Sequence, residues 1–268
     1  MTGIPPLVDI HNHLIPGVDD GARRPEEALA ALKAMRDQGV TRLIATPHLD
    51  AGVTVRPEAF AARMAAVDSS WAILQEVARE VPEVAIARGH EIMLDVPNVT
   101  LDDPRVRLAG GSCVLVEFPR LQVPPASAGA LYRIRGEGYL PIVAHPERYV
   151  NVDVERLDMV DEWRRMGARI IVNAGSLLGG FGGGARTTAL AMLQEGWVDM
   201  IGSDYHARPG RPLLLAKVYE QLAEWGGEDQ ARLLLSVNPG RVMDGEEPLA
   251  VPPLELRRWR RLRALFRK

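Results

Sequence analysis

Val8-Asp9-Ile10-His11-Asn12-His13 begins as an apolar, β-branched run and ends in two histidines separated by one residue. Extended chain places residues i and i+2 on one face, so Asp9, His11 and His13 are expected to form a single row, with Asp9 deeper and orienting a ligand from behind. The same plan recurs in Leu43-Ile44-Ala45-Thr46-Pro47-His48, Val84-Ala85-Ile86-Ala87-Arg88-Gly89-His90-Glu91 and Cys113-Val114-Leu115-Val116-Glu117. It recurs again in Pro141-Ile142-Val143-Ala144-His145 and in Met200-Ile201-Gly202-Ser203-Asp204-Tyr205-His206, where Asp204 and His206 repeat the i, i+2 spacing. All six histidines of the protein lie in such segments. Imidazole together with carboxylate is what borderline divalent cations bind, so the pattern predicts a polynuclear metal site at strand ends, with none of the histidines spare.

Working outward, strand-like segments are expected at 7–14, 40–47, 83–93, 112–119, 139–146, 169–175 and 198–204. Helix-period stretches fall between and after them, near 25–38, 57–80, 125–137, 153–167, 184–196 and 211–225. The first of these helices opens on Pro25-Glu26-Glu27 and stops at Gly39, the usual order of start and stop residues. Alternating strands and helices imply a parallel sheet. An open sheet cannot bring the ends of six strands to one point, whereas a barrel can, and barrel sites are built at strand C-termini. The expected fold is therefore a single α/β barrel over residues 1–250, followed by a tail at 251–268.

The chain has 268 residues, 47% of them hydrophobic and 25% charged, which suits one substantial soluble core. Apolar runs are too short to span a membrane, and the first strand is reached by Leu7, which leaves no room for a signal peptide. One cysteine, Cys113, fits a reducing compartment, so a cytoplasmic protein is expected. The net charge of −3 conceals an asymmetry, because residues 254–268 carry seven basic side chains and one acid, leaving the rest with 25 basic and 34 acidic groups. Leu256, Trp259, Leu262, Leu265 and Phe266 fall on one helical face of that tail, with arginines around the other, the pattern of a contact with anionic lipid at the inner membrane face. The body has no basic stripe with interleaved aromatics, and nucleic acid is not an expected partner.

A carboxylate facing a barrel interior needs cations nearby, which makes Glu91 and Glu117 candidate metal ligands. Arg148 stands three residues beyond His145 and Arg211 five beyond His206; guanidinium is the bidentate partner of phosphate, so the pair points to an anionic substrate. Cys113 and Arg120 are spaced Cys-x6-Arg, not the Cys-x5-Arg of a cysteine phosphatase, and Cys113 is expected in the core. The run Gly179-Gly180-Phe181-Gly182-Gly183-Gly184 lacks the lysine and hydroxyl residue of a P-loop and is expected to be a lid or a connector.

The segments Asp-Ile-His-x-His (9–13), Val-Asp-Asp-Gly (18–21), Ala-Thr-Pro-His (45–48), Gly-x-Glu-Ile (89–92), Val-Glu-Phe-Pro (116–119), Ala-His-Pro-Glu-Arg-Tyr (144–149), Asn-Ala-Gly-Ser-Leu (173–177) and Gly-Ser-Asp-x-His (202–206) together resemble the PHP-domain metal-dependent protein-tyrosine phosphatases of bacterial capsule and exopolysaccharide systems. The resemblance implies a distorted, TIM-like (β/α)7 barrel holding three divalent metal ions, most often manganese, with iron or zinc as alternatives. It implies one metal on His11, His13, Glu91 and Asp204, a second on Glu91, Glu117 and His145, and a third on Asp20, His48 and His206. Arg148 and Arg211 match positions that hold the phosphate, and the implied partner is a phosphotyrosine-bearing tyrosine kinase that regulates polysaccharide synthesis. A small-molecule phosphatase of the histidinol-phosphate kind is the competing enzyme reading, and a metal-stabilised scaffold the non-enzymatic one. The chain departs from the family in Leu49-Asp50-Ala51-Gly52-Val53-Thr54 and at His90, both expected to flank the mouth of the pocket.

Overall fold

In the computed structural model, residues 3–208 and 211–255 are described. Among the described residues there are nine strands: β1 (Leu7–Asp9), β2 (Val40–Ala45), β3 (His48–Asp50), β4 (Ala85–Arg88), β5 (Glu91–Met93), β6 (Cys113–Glu117), β7 (Leu140–Ala144), β8 (Arg169–Asn173) and β9 (Met200–Gly202). They form a three-stranded sheet, β1-β2-β4, and a six-stranded sheet, β3-β5-β6-β7-β8-β9, with every pairing parallel. The fold is mixed α/β with parallel sheets.

Two expected strands are broken in the middle, and the chain explains why. Thr46-Pro47 separates β2 from β3, and Gly89-His90 separates β4 from β5. Pro47 has no N–H to place in a ladder, and Thr46 N donates instead to Asn12 O at 2.8 Å. The two breaks lie side by side and are bonded across, with Gly89 N donating to Ala45 O at 3.0 Å and Glu91 N to Pro47 O at 3.1 Å. At the opposite edges Asn12 and Tyr205 form a parallel bridge, reinforced by Asp204 N to His11 O at 2.8 Å and His13 N to Tyr205 O at 2.9 Å.

Strand alternation sorts the core into two layers. Val8, Ile10, Ile44, Leu115, Ile142, Ala144, Ile171 and Met200 form an inner apolar cluster. Leu43, Val114, Val116, Val143, Ile170 and Val172 face the other way, into a larger cluster shared with the helices. Glu117 follows Leu115 by two residues and so emerges on the inner side, just past the apolar layer.

The helices that cover the strands are α1 (Pro25–Asp37), α2 (Ala51–Thr54), α3 (Pro57–Ala78), α4 (Ser127–Gly136), α5 (Asp158–Arg165), α6 (Ala174–Leu177), α7 (Gly183–Gln194) and α8 (Leu215–Glu224). α1 buries Ala28, Ala31, Leu32 and Met35, an i, i+3, i+4, i+7 stripe. Gly39 ends the turn after it at φ +82°, a conformation that glycine adopts at no steric cost.

Between residue 225 and the tail the sequence pattern marks no helix, yet the structure has α9 (Glu228–Arg232), a π-helical turn (Leu233–Val237) and α10 (Asn238–Met243). Asn238-Pro239-Gly240 reads as a turn in isolation, but proline is well placed in the first turn of a helix. Asn238 Nδ2 donates to the carbonyls of Asp199 and Leu249, both at 2.9 Å, and Val242 joins the inner cluster. The chain stays packed on the body through Val251 and Leu254, both buried. The amphipathic face expected over 256–266 lies outside the described residues.

Candidate metal centre

Nine side chains converge beyond the inner apolar layer: His11, His13, Asp20, His48, Glu91, Glu117, His145, Asp204 and His206. Glu91 is the hub. Its Oε1 lies 3.1 Å from His11 Nε2 and 3.0 Å from His145 Nε2, and its Oε2 lies 3.4 Å from His13 Nε2 and 3.2 Å from His48 Nδ1. Asp204 Oδ1 sits 3.7 Å from His11 Nε2 and 3.5 Å from His13 Nε2. Glu117 reaches His48 Nδ1 at 3.1 Å and His145 Nε2 at 3.7 Å. At the mouth, Asp20 Oδ1 is 3.4 Å from His48 Nε2 and 3.2 Å from His206 Nε2. His11, His13 and Glu91 are fully buried, whereas Asp20 is half exposed, so the cluster grades from a closed floor to an open rim.

These groups fit cations better than they fit one another. His11 Nδ1 and Nε2, His13 Nε2, His48 Nδ1, His145 Nδ1 and Glu91 Oε2 are buried and make no hydrogen bond, although several lie within ion-pair distance of an opposite group. Buried polar atoms are seldom left so, and cations taking one lone pair from each ring nitrogen that faces the carboxylates are the economical partners. Sets such as His13-Asp20-His48-His206 and His48-Glu91-Glu117 each bring their donor atoms within 4.8 Å of one another.

The electrostatics agree. Burial pushes the Glu91 and Asp204 carboxyls up, but the surrounding imidazoles outweigh it and hold both well below the usual carboxylate range. Burial lowers His48, and Glu117 and Glu91 more than reverse this, lifting it to about 9. The carboxylates are thus held ionised and draw the neighbouring imidazoles toward their charged form; a bound cation would take the place of those ring protons as the positive partner.

Two geometric expectations need correction. β1 stops at Asp9 and β9 at Gly202, so neither histidine pair is displayed by a continuous strand. His145, Asp204 and Ala207 instead take left-handed backbone, with φ of +36°, +49° and +52°. Such conformations cost about 1–3 kcal/mol each and concentrate at functional sites. Asp9 also has its hydrogen bonds elsewhere than on an imidazole ring, accepting from Ser203 N and Oγ at 2.9 and 2.6 Å and from Asn12 Nδ2 at 3.1 Å; it pins β1 to the loop after β9.

His90 is the spare histidine. It is fully buried, with Nδ1 3.1 Å from Arg105 O, and burial lowers it to about 4. It belongs to none of the groups whose donor atoms come together at the cluster. Cys113 is where it was expected, buried in the inner cluster, and burial pushes its thiol up to about 12.

The arginines stand at the rim. Arg148 Nη1 donates to Asp204 Oδ2 at 2.6 Å, and Arg211 Nη1 lies 2.9 Å from His206 Nδ1. The glycine run is not a free flap: Gly180 N donates to Gly175 O at 2.8 Å and Gly179 N to Ser176 O at 3.0 Å.

Several positioning residues escaped the sequence reading. Asp19 Oδ2 is 2.7 Å from His13 Nδ1 and accepts from His48 N at 3.1 Å, and its Oδ1 accepts from Gly21 N at 2.9 Å. Asn173 Nδ2 donates to Asp204 Oδ2 at 2.8 Å, while Asn173 N and Ser176 Oγ donate to the buried Glu147 at 2.8 and 2.7 Å. Arg63, on α3, donates to Val18 O and His48 O at 2.8 and 2.7 Å. Asp19 and Glu147 carried a signal in their proximity to ligand motifs, Asp19 beside Asp20 and Glu147 beside Arg148; Arg63 carried none.

Residues 7–244 match the family described as capsular polysaccharide synthesis, CpsB/CapC. The chain belongs to the CpsB/CapC family. It is 29% identical over 202 residues to the tyrosine-protein phosphatase YwqE of Bacillus subtilis, covering 75% of this chain and 77% of that protein. It is 27% identical over 252 residues to the tyrosine-protein phosphatase CpsB of Streptococcus pneumoniae, covering 88% and 98%. Among solved structures, one from work on YwqE and CpsB as metal-dependent tyrosine phosphatases superposes with a TM-score of 0.76 at 24% identity, over 94% of this chain and 100% of that one. The phosphotriesterase homology protein of Escherichia coli, solved with phosphate in its active site, superposes with a TM-score of 0.56 at 15% identity, covering 88% and 98%. At these identities the two structures speak for the fold. Each of the segments quoted from the sequence supplies a residue to this cluster or to its support.

Proposed function

We propose that the chain is a metal-dependent protein-tyrosine phosphatase of the PHP type, acting on phosphotyrosine of a kinase that regulates capsule or exopolysaccharide synthesis. The observation that carries this is the convergence of nine metal-ligand side chains beside two arginines, in a chain whose CpsB/CapC relatives bear that activity in their names. The paired breaks between β2/β3 and β4/β5, with the Asn12–Tyr205 bridge, support reading the two sheets as one distorted seven-stave barrel.

His11, His13, Glu91 and Asp204 would hold one cation, Glu91, Glu117 and His145 a second, and Asp20, His48 and His206 a third. Manganese is the proposed metal, as the family resemblance implies, with iron or zinc as alternatives that the imidazole and carboxylate donors also admit. When bound, such ions supply a water whose pKa falls from 15.7 toward about 7 and neutralise charge on the phosphoryl oxygens. The chain's own contribution is positioning. Arg148 and Arg211 would donate in-plane N–H groups to the non-bridging oxygens of a phosphoryl group, where charge must be balanced during transfer. Asp204 and Asn173 hold the inner side of that anion site in place. The phenolate that departs, with a parent pKa of about 10, leaves more readily than an alkoxide.

No helix among the described residues is long and apolar enough to cross a membrane. Action in the cytoplasm, with the basic tail touching the inner membrane face, is part of the proposal. Binding of a 250–268 peptide to anionic vesicles, abolished by high salt, is its test.

The deciding experiment chelates the protein, reloads it with manganese and compares turnover of a phosphotyrosine peptide with that of histidinol phosphate. Preference for the peptide is expected. Turnover of histidinol phosphate alone would transfer the site to a small-molecule phosphatase, and turnover of neither would leave a metal-stabilised scaffold.

A further inference from the structure

Phe181 is the one side chain in a run of five glycines, Gly179-Gly180-Phe181-Gly182-Gly183-Gly184, and its ring faces both rim arginines. Arg148 Cζ lies 4.3 Å from the ring centroid and Arg211 Cζ 6.0 Å. The loop that carries the ring is tied down by backbone bonds to Gly175 and Ser176, and Arg186 Nε donates to Leu177 O at 3.1 Å. The ring rests directly on the backbone at Gly175: a Cβ there would come 2.8 Å from Phe181 Cε2. Gly179 and Gly182 are at φ +84° and +92°, which is why the chain can present this side chain at so sharp a turn.

A guanidinium has two kinds of surface. Its edge donates N–H groups to oxyanions, and its face stacks on aromatic rings. A ring beneath the face therefore restrains the group without competing for its donors. Here one ring serves two guanidiniums that come from different parts of the chain, the turn after β7 and the segment before α8. Each also touches a residue of the metal cluster, Arg148 at Asp204 and Arg211 at His206. Phe181 further lines both a small cavity of about 60 Å³ with Asp204 and Arg211 and a wider one of about 430 Å³ with Arg148 and Tyr149.

We propose that Phe181 is a positioning residue that holds Arg148 and Arg211 as one anion-binding unit across the mouth of the metal centre. This rests on the reading that the two arginines bind the phosphoryl group, and it adds the element that sets their spacing. Replacing the π face by an aliphatic side chain of similar bulk should weaken oxyanion binding while leaving the cations in place.

The test measures binding of inorganic phosphate to manganese-loaded protein by calorimetry, in wild type, Phe181→Leu, Phe181→Tyr and Arg148→Ala, alone and with Phe181→Leu. Metal content and Tm are recorded for each. Phe181→Leu is expected to weaken phosphate binding roughly five- to thirty-fold, since two cation–π contacts are lost, with metal content and Tm unchanged, and Phe181→Tyr to restore it. In the Arg148→Ala background the same substitution should have a smaller effect. Equal phosphate affinity in wild type and Phe181→Leu, or full additivity with Arg148→Ala, would overturn the proposal. Loss of metal in Phe181→Leu would also overturn it, because the ring would then support the cluster itself. Phosphate binding that depends on Phe181 in a protein inactive toward phosphotyrosine would overturn the substrate reading alone.

Discussion

Nδ1 of His13 lies 2.7 Å from Oδ2 of Asp19, and Nε2 of the same ring faces Glu91 and Asp204. Asp19 therefore decides which nitrogen carries the proton and which offers its lone pair to a cation. Burial raises Asp19, but its bond to His13 outweighs burial and holds it at about 2, so the carboxylate is a dependable acceptor. Asp19→Ala is expected to weaken metal binding about 10–100-fold, read by competition with a chromogenic chelator. Unchanged affinity would show that ring orientation is set elsewhere.

Cations bound only by the folded state should add to its stability. At a thousandfold excess over Kd, each site contributes about 4 kcal/mol. Chelation is expected to lower Tm by several degrees, and manganese to restore it. Glu91→Gln should abolish most of that response, because Glu91 contacts four of the imidazoles. A Tm indifferent to chelator in wild type would count against a cation cluster.

Arg148→Ala is expected to lower kcat/KM on phosphotyrosine peptide about 10²–10³-fold with metal still bound, the loss seen when a preorganised donor to a transition-state oxyanion is removed. Arg148→Lys should recover little, because a point charge cannot replace a planar fork that also stacks on Phe181. Steady-state kinetics with metal analysis on each variant decides this.

Gly21 has no room for a side chain: a Cβ there would lie 2.0 Å from His13 O. Gly21→Ala must displace either the His13 backbone or the loop bearing Asp19 and Asp20. A stability loss of about 1–3 kcal/mol is expected, together with weakened metal binding, measured by urea unfolding and metal titration. Wild-type stability in this variant would mean that the loop moves aside freely.

Asp199 carries a pH dependence away from the metal centre. Burial raises its carboxyl to about 6, although Ile170 N donates to it at 2.8 Å. The folded state thus favours the protonated form. Its contribution to stability is complete below the unfolded value near pH 4 and is lost as pH rises through about 6. Asp199→Asn, which keeps an acceptor for Ile170, is expected to remove up to about 3 kcal/mol of that pH-dependent change. Urea unfolding of metal-free protein at pH 4 and pH 7 measures it, and identical pH slopes in both proteins would refute it.

The apolar runs and their terminal histidines and acids were legible because periodicity and residue chemistry are local. Seven strand regions, six helices and eight of the nine converging side chains could be named from them; Asp20 came only from the family resemblance. The breaks at Thr46-Pro47 and Gly89-His90, the left-handed turns at His145 and Asp204 and the helices beyond residue 225 could not. The helices beyond residue 225 depend on contacts with distant segments, as Asn238 with Asp199 and Leu249. His90 shows the limit from the other side. Its motif was indistinguishable from a ligand's, yet it belongs to none of the groups that come together at the cluster.

The order of residues alone determined the metal-ligand chemistry and the parallel α/β character, because both follow from side-chain type and from periods of two and 3.6. Tertiary structure alone decided which of the six imidazoles face the centre, that Asp19 orients one of them, and that Phe181 meets two arginines 33 and 30 residues away in sequence. Those outcomes are set by the direction in which each group points after the strands have paired, and direction is a property of the assembled backbone.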